Sequence, residues 1–342
     1  MRNMWVVSLL ALALMVPGVA GESARSAPVS VQGRSYSVFP EKLNEAPDIP
    51  SPLTAGDGRE LVIGHATDGG YWLIPVTVEN GAPLDYKKRL YGKGRQLTAD
   101  AADFPTLART GLHDEETLDQ TITITGRPVA EITRLGRPMQ SSRQGFMSGD
   151  EDIMAVLQGD NRLVTQLGLT HPDLARPLFH VWNIVLAGIG QGVWTFDAMS
   201  LDCILYNGRK VYVRWQGGRG WQESIFNDEI LGQYHLEVWR ELDPAERNFL
   251  NERYSHLSAA QMSVLRKKLS HIHTGEMVPY YITRYGFYEG HTDFRADPLA
   301  IACVFGLRSL EELEQAFTGE LYEVLSGHHT RRSINGQPPA EE

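Results

Sequence analysis

The sequence predicts an α+β protein with a mainly β N-terminal half and a mainly helical C-terminal half that contains one β-hairpin. Three observations lead there. β-Branched and aromatic residues cluster between turn formers from Leu61 to Val78; capped apolar stretches recur from Asp150 onward; and Asn207-Gly208 separates two apolar runs.

In the front half, Leu61-Val62-Ile63 and the run from Tyr71 to Val78 read as strands joined across Asp68-Gly69-Gly70, with Pro75 marking an edge position. Thr121-Ile122-Thr123-Ile124-Thr125 alternates with period two, as a half-exposed strand does. Residues 21–57 are rich in Ser, Pro and Gly and poor in large apolar side chains, the composition of an extended or poorly ordered arm. Two Gly-Arg-Pro tripeptides, at Gly126 and Gly136, precede a polar loop. That loop sets the boundary between a mainly β region, 58–147, and a mainly helical region, 148–330.

Helix punctuation in the back half is clear. Asp150 opens an apolar pattern that Gly159-Asp160-Asn161 interrupts and Gly168 stops. Thr170 and Pro172 start a helix carrying Leu174, Leu178, Trp182, Val185 and Ile189 on one stripe. Ser258-x-x-Gln261 and Ser309-x-x-Glu312 have capping-box spacing, and Asp297-Pro298 opens a short apolar helix that Gly306 ends. The hairpin spans 201–215, because Asn-Gly supplies the positive φ angles of a type I′ turn. Residues 278–288, with their aromatic residues, Pro279 and Gly286, read as a strand.

The first residues look like a targeting segment. Arg2, the apolar run from Trp5 to Val16 and the small residues Gly18-Val19-Ala20 predict a signal peptide, 1–20, cleaved after Ala20. No cysteine follows to take a lipid, so the expectation is a freely soluble extracytoplasmic protein, periplasmic or secreted, with a polar tail at 331–342. The uncharged stretch 177–196 contains His180, Asn183, Gln191 and three glycines, which predicts a buried core helix and no stable membrane span after cleavage.

The formal charge of the 342-residue chain is −10, and loss of Arg2 takes it to −11, the opposite of a nucleic-acid-binding footprint. Cys203 and Cys303 are the two cysteines; both sit among apolar neighbours, and an oxidising compartment leaves both a bridge and two buried thiols open. No G-x-x-x-x-G-K-[ST], G-x-S-x-G or H-E-x-x-H motif occurs.

Chemistry-bearing residues are densest between His271 and Asp297. If His271 and His273 lie on a strand they point the same way and form a divalent-metal set with Glu276, His291 or Asp293; on a helix they diverge and the pair fails. Glu289, His291 and Asp293, on the loop entering the helix at Pro298, form a candidate acid–base set, with Arg284, Tyr285, Tyr288 and Arg295 to contact a small-molecule or polymer substrate. A salt-bridge network holding the loop to the core explains the same residues without a substrate. The leading functional expectation is an extracytoplasmic hydrolase with its site at 289–293, and the alternative is a non-catalytic exported binding or scaffold protein. N-terminal sequencing of exported material should begin close to Gly21. A soluble cytoplasmic product that keeps Met1 would contradict the export assignment.

Overall fold

A computed structural model describes residues 27–39, 41–76, 78–79, 82–83, 125–190, 201–228 and 231–326. The expected signal segment, the polar tail and residues 121–124 of the strand expected over Thr121–Thr125 lie outside the described residues.

The front of the chain forms β1 (Val29–Val31), β2 (Arg34–Tyr36), β3 (Lys42–Leu43), β4 (Leu53–Thr54), β5 (Glu60–Ala66), β6 (Tyr71–Val76), β7 (Val78–Glu79) and β8 (Ala82–Pro83). Helices α1 (Val129–Gly136), α2 (Ile153–Gln166) and α3 (His171–Gly190) follow, then β9 (Leu201–Tyr206), β10 (Arg209–Glu223) and β11 (Leu231–Trp239). The rest is α4 (Pro244–Arg253), α5 (Ala259–Ser270), β12 (His271–Gly275), α6 (Val278–Tyr285), α7 (Pro298–Val304), α8 (Leu310–Phe317) and α9 (Leu321–Leu325).

The expected division into a β half and a helical half is wrong. One eight-stranded antiparallel sheet runs β12-β11-β10-β9-β5-β6-β3, with β4 also on β5, and it takes strands from both halves. The hairpin β9–β10 is therefore an interior part of this sheet rather than an island among helices. The physical reason is that two strands alone cannot bury an apolar face, and β9 closes its open edge against β5. Strands β11 and β12 escape notice in the sequence because their outward positions carry His235, Glu237, His271 and His273, while Leu236, Val238, Ile272 and Thr274 are buried.

The sheet buries both faces at its β5–β6 end. Val62, Ile74, Ile204, Val211, Leu236 and Val238 belong to the main core with the helices, where Leu178, Phe179 and Trp182 of α3 are fully buried. On the opposite face Leu61, Ile63 and Leu73 pack with Val29, Val31, Val38 and Ala55 in a second, smaller core. Residues 27–57, expected as an extended or poorly ordered arm, thus carry four short strands and cover this end of the sheet.

Helix α3 is tied to the sheet by polar contacts as well as apolar ones. Asn183 donates to the Pro75 carbonyl at 2.7 Å, and Pro75 lies beyond the residues of β6 that pair with β3. Glu60 of β5 accepts from Arg176 at 2.6 Å and binds the buried His180 at 3.0 Å, which holds the Glu60 carboxyl below its ordinary range. Among the described residues no helix is long and apolar enough to cross a membrane.

Two further local expectations are overturned. Residues 278–288 do not form a strand: Pro279 in the first turn and Gly286 at φ 66° bracket helix α6. Its aromatic residues serve packing, as in the Phe226–Tyr285 stack at 3.9 Å, rather than strand propensity. Gly159-Asp160-Asn161 does not interrupt α2, which Asp152 caps by accepting from Met154 and Ala155. The polar pair inside it is satisfied by tertiary partners, Arg295 for Asp160 and His171 for Asn161.

Both expected capping boxes are present, at Ser258/Gln261 and Ser309/Glu312, and Asp243/Glu246 makes a third on α4. Glu246 also accepts from Arg240 at 2.6 and 2.7 Å, and Arg240 reaches the Cys303 carbonyl at 3.0 Å. Cys203 and Cys303 are free, buried thiols. Asn207 and Gly208, with φ of 47° and 72°, make the β9–β10 turn.

Candidate functional site

The loop 287–297 connects α6 to α7 and is organised around Arg295. Its guanidinium donates to Asp160 on α2 at 2.5 Å, to the Glu289 carbonyl at 2.6 Å and to Asp297 at 3.4 Å. Asp160 is 2 % exposed, so this is a buried ion pair between a loop and a helix. Burial opposes the charge on Arg295, but Asp160 and Asp297 outweigh it and raise its pKa. Burial raises the Asp160 carboxyl to about 6 against the pull of Arg295, which leaves it ionised at neutral pH.

The turn at Glu289-Gly290 sits directly on this pair. Glu289 has φ 65° and a buried carboxyl that accepts from the Thr292 hydroxyl at 2.7 Å. Burial pushes that carboxyl up to about 8, with Thr292 and Arg295 opposing. Gly290 donates to the Phe146 carbonyl at 2.8 Å, and a Cβ at this position would lie 3.0 Å from Cα of Met147 and collide with Glu151. Close passage of the loop over 146–151 therefore requires glycine here.

That passage brings His291 to Glu151. The His291 backbone N–H donates to Glu151 at 3.0 Å, the imidazole Nδ1 pairs with the other carboxylate oxygen, and the Ser148 N–H donates at 2.6 Å. Burial works against ionisation of Glu151, yet these bonds, led by that of His291, lower it to about 2. The His291 side chain is 41 % exposed and lines a cleft of about 920 Å³ between α2, α5, β12 and the loop.

Of the expected acid–base set, His291 and Asp293 line the cleft, whereas Glu289 is buried beneath it. Arg295 reaches the cleft wall but is committed to Asp160. Tyr285 and Tyr288 are core residues, with their hydroxyls at 2.7 Å from Asp228 and 3.0 Å from His171 Nδ1. Arg284, on the last turn of α6, is not among the cleft-lining residues.

His271 and His273 do share one face of β12 and line the cleft. They do not converge with Glu276. That side chain is buried and accepts from the Tyr234 N–H at 3.2 Å, and among the described residues these three form no group with ligand atoms drawn together. His273 instead packs on Phe294 at 4.4 Å between ring centroids, with His235 on the same phenyl ring at 4.7 Å, and His271 stacks on Trp239 at 6.1 Å. Burial lowers the pKa of both His235 and His271.

Sequence reasoning missed Glu151, Asp160 and the cleft residues Lys267 and Lys268. Glu151 lies in the run Asp150-Glu151-Asp152, which reads as acids favoured near a helix N-terminus, and nothing local connects it to His291. No protein-family model, curated protein or solved structure matches the chain.

The buried Glu289 carboxyl makes stability depend on pH. Its folded value, about 8, lies above the ordinary 4.5, so its stabilisation is complete below about pH 4.5 and is lost as pH rises through about 8. Across that window unfolding free energy in urea should fall by up to about 1.4 kcal/mol per pH unit more in the wild type than in Glu289→Gln, which stays neutral throughout. Identical pH slopes for the two proteins would contradict a protonated Glu289.

Proposed function

We propose that the protein is an exported hydrolase that activates water by general-base catalysis in this cleft, with His291 as the base and Glu151 as the residue that positions it. The observation that carries the reading is the pairing of ionised Glu151 with His291 Nδ1 at the cleft wall. A carboxylate at Nδ1 orients the imidazole and favours the tautomer in which Nε2 is the basic nitrogen, as general-base attack by water requires. It also stabilises the imidazolium that results, as an orienting acid does in hydrolytic sites of unrelated fold.

Other cleft groups suit the same chemistry. Lys267 and Lys268 add positive charge on the α5 side, where negative charge developing on a substrate oxygen would be stabilised. Asp293, exposed on the loop two residues after His291, is available for hydrogen bonds to substrate, while the proton that His291 takes from water is the one returned to the leaving group. Glu289 acts from below as a neutral acid that closes the turn, not as a reacting group.

The mature protein should hydrolyse at least one class within a panel of chromogenic carboxylate esters, phosphate esters and glycosides. His291→Ala should lower kcat by roughly 10²–10⁴-fold, and Glu151→Gln should also lower it. Both variants should retain the wild-type unfolding transition to within about 1–3 kcal/mol, the cost of one unsatisfied partner. Hydrolysis that is indifferent to His291→Ala, or absent across the panel, would contradict the enzyme and favour the non-catalytic binding protein.

A further inference from the structure

We propose that His65, Asp202 and Cys203 form a binding site for a divalent metal ion of borderline softness, zinc foremost, on the sheet and apart from the cleft. His65 is on β5 and the other two are on β9. A nitrogen of His65, a carboxylate oxygen of Asp202 and Sγ of Cys203 all lie within 4.8 Å of one another, and His65 Nδ1 is 3.3 Å from Asp202 Oδ2. Among the described residues this is the only group of three such side chains drawn together in this way.

The strand register explains how neighbouring residues come to share one place. Ile63 pairs with Leu205, Gly64 with Ile204 and His65 with Cys203, but Ala66 pairs with Leu201, so Asp202 is an extra residue in β9. In a regular strand Asp202 and Cys203 would project to opposite faces. A β-bulge breaks that alternation and re-aims a side chain, which is why bulges recur beside functional sites. Here it brings the carboxylate to the imidazole that Cys203 already faces across the ladder.

The donor set selects the ion. Imidazole, thiolate and carboxylate together match zinc, and three protein ligands leave one tetrahedral position for water or a further ligand. The sulfur disfavours magnesium and calcium, which take oxygen ligands. His65 and Asp202 are partly exposed, which gives an ion a path in, while Cys203 lies beneath them and is 1 % exposed. Metal binding replaces the thiol proton of Cys203, which leaves to solvent as the metal–sulfur bond forms. The Tyr71 ring, 5.1 Å from the imidazole, packs against one side of His65.

Cobalt(II) is the probe, because a thiolate ligand gives it a charge-transfer band in the near ultraviolet that nitrogen and oxygen ligands do not. The full mature chain should bind cobalt(II) with that band, and zinc should displace it with loss of the band. Cys203→Ser should abolish the band, and Asp202→Asn, at an exposed position that leaves the fold intact, should weaken binding at least about tenfold, the size of effect known even for outer-shell partners. Cys303→Ser and the double variant His271→Ala/His273→Ala should keep both band and affinity. No binding, binding without the band, or binding unchanged by Asp202→Asn would each overturn the proposal.

Discussion

The buried ion pair between Arg295 and Asp160 is the interaction on which the cleft depends. A loop of irregular backbone placed against a core must find partners for its peptide groups, and here one guanidinium organises most of the solution. It binds the Glu289 carbonyl, while Gly290 N–H goes to Phe146, His291 N–H to Glu151 and Ala296 N–H to Tyr288. Arginine suits the task because its planar fork serves several acceptors at once, which lysine cannot do in the same geometry. Removing Asp160 alone would strand a buried charge, a change that typically costs about 3–5 kcal/mol.

The sheet sets where that loop lies. Pairing of β5 with β9 joins the two halves of the chain into one layer, α3 is pinned to it through Glu60 and Pro75, and β11 and β12 extend it to the edge where the cleft opens. His271 and His273 thereby come to face the same cleft as His291, although different secondary-structure elements carry them. The same β5–β9 ladder, through the extra residue in β9, brings together His65, Asp202 and Cys203.

Features written in neighbouring residues were legible in the sequence; those that depend on distant partners were not. Ser258/Gln261 and Ser309/Glu312 are local reciprocal hydrogen bonds, and Asn207-Gly208 is a local backbone preference, so spacing alone identifies them. Helix α6 was hidden because its tyrosines resemble strand residues, although Pro279 and Gly286 carried the helix punctuation. Strands β11 and β12 were hidden by polar outward faces, and the pairing of β9 with β5 has no local signature at all. In the candidate site, His291 and Asp293 were recognisable as exposed loop residues. Glu151 was not, because only the tertiary fold brings it to the imidazole, and the burial that neutralises Glu289 likewise comes from distant segments.

The most direct test of this account is amide hydrogen exchange in the wild type and in Asp160→Ala. With the ion pair intact, the amides of Gly290, His291 and Ala296 are bonded and should be protected. In Asp160→Ala they should lose protection selectively, while the amides of the β9–β10 ladder keep theirs. Unchanged protection of those three amides in the variant would contradict the claim that the buried pair holds the loop and places His291 on Glu151.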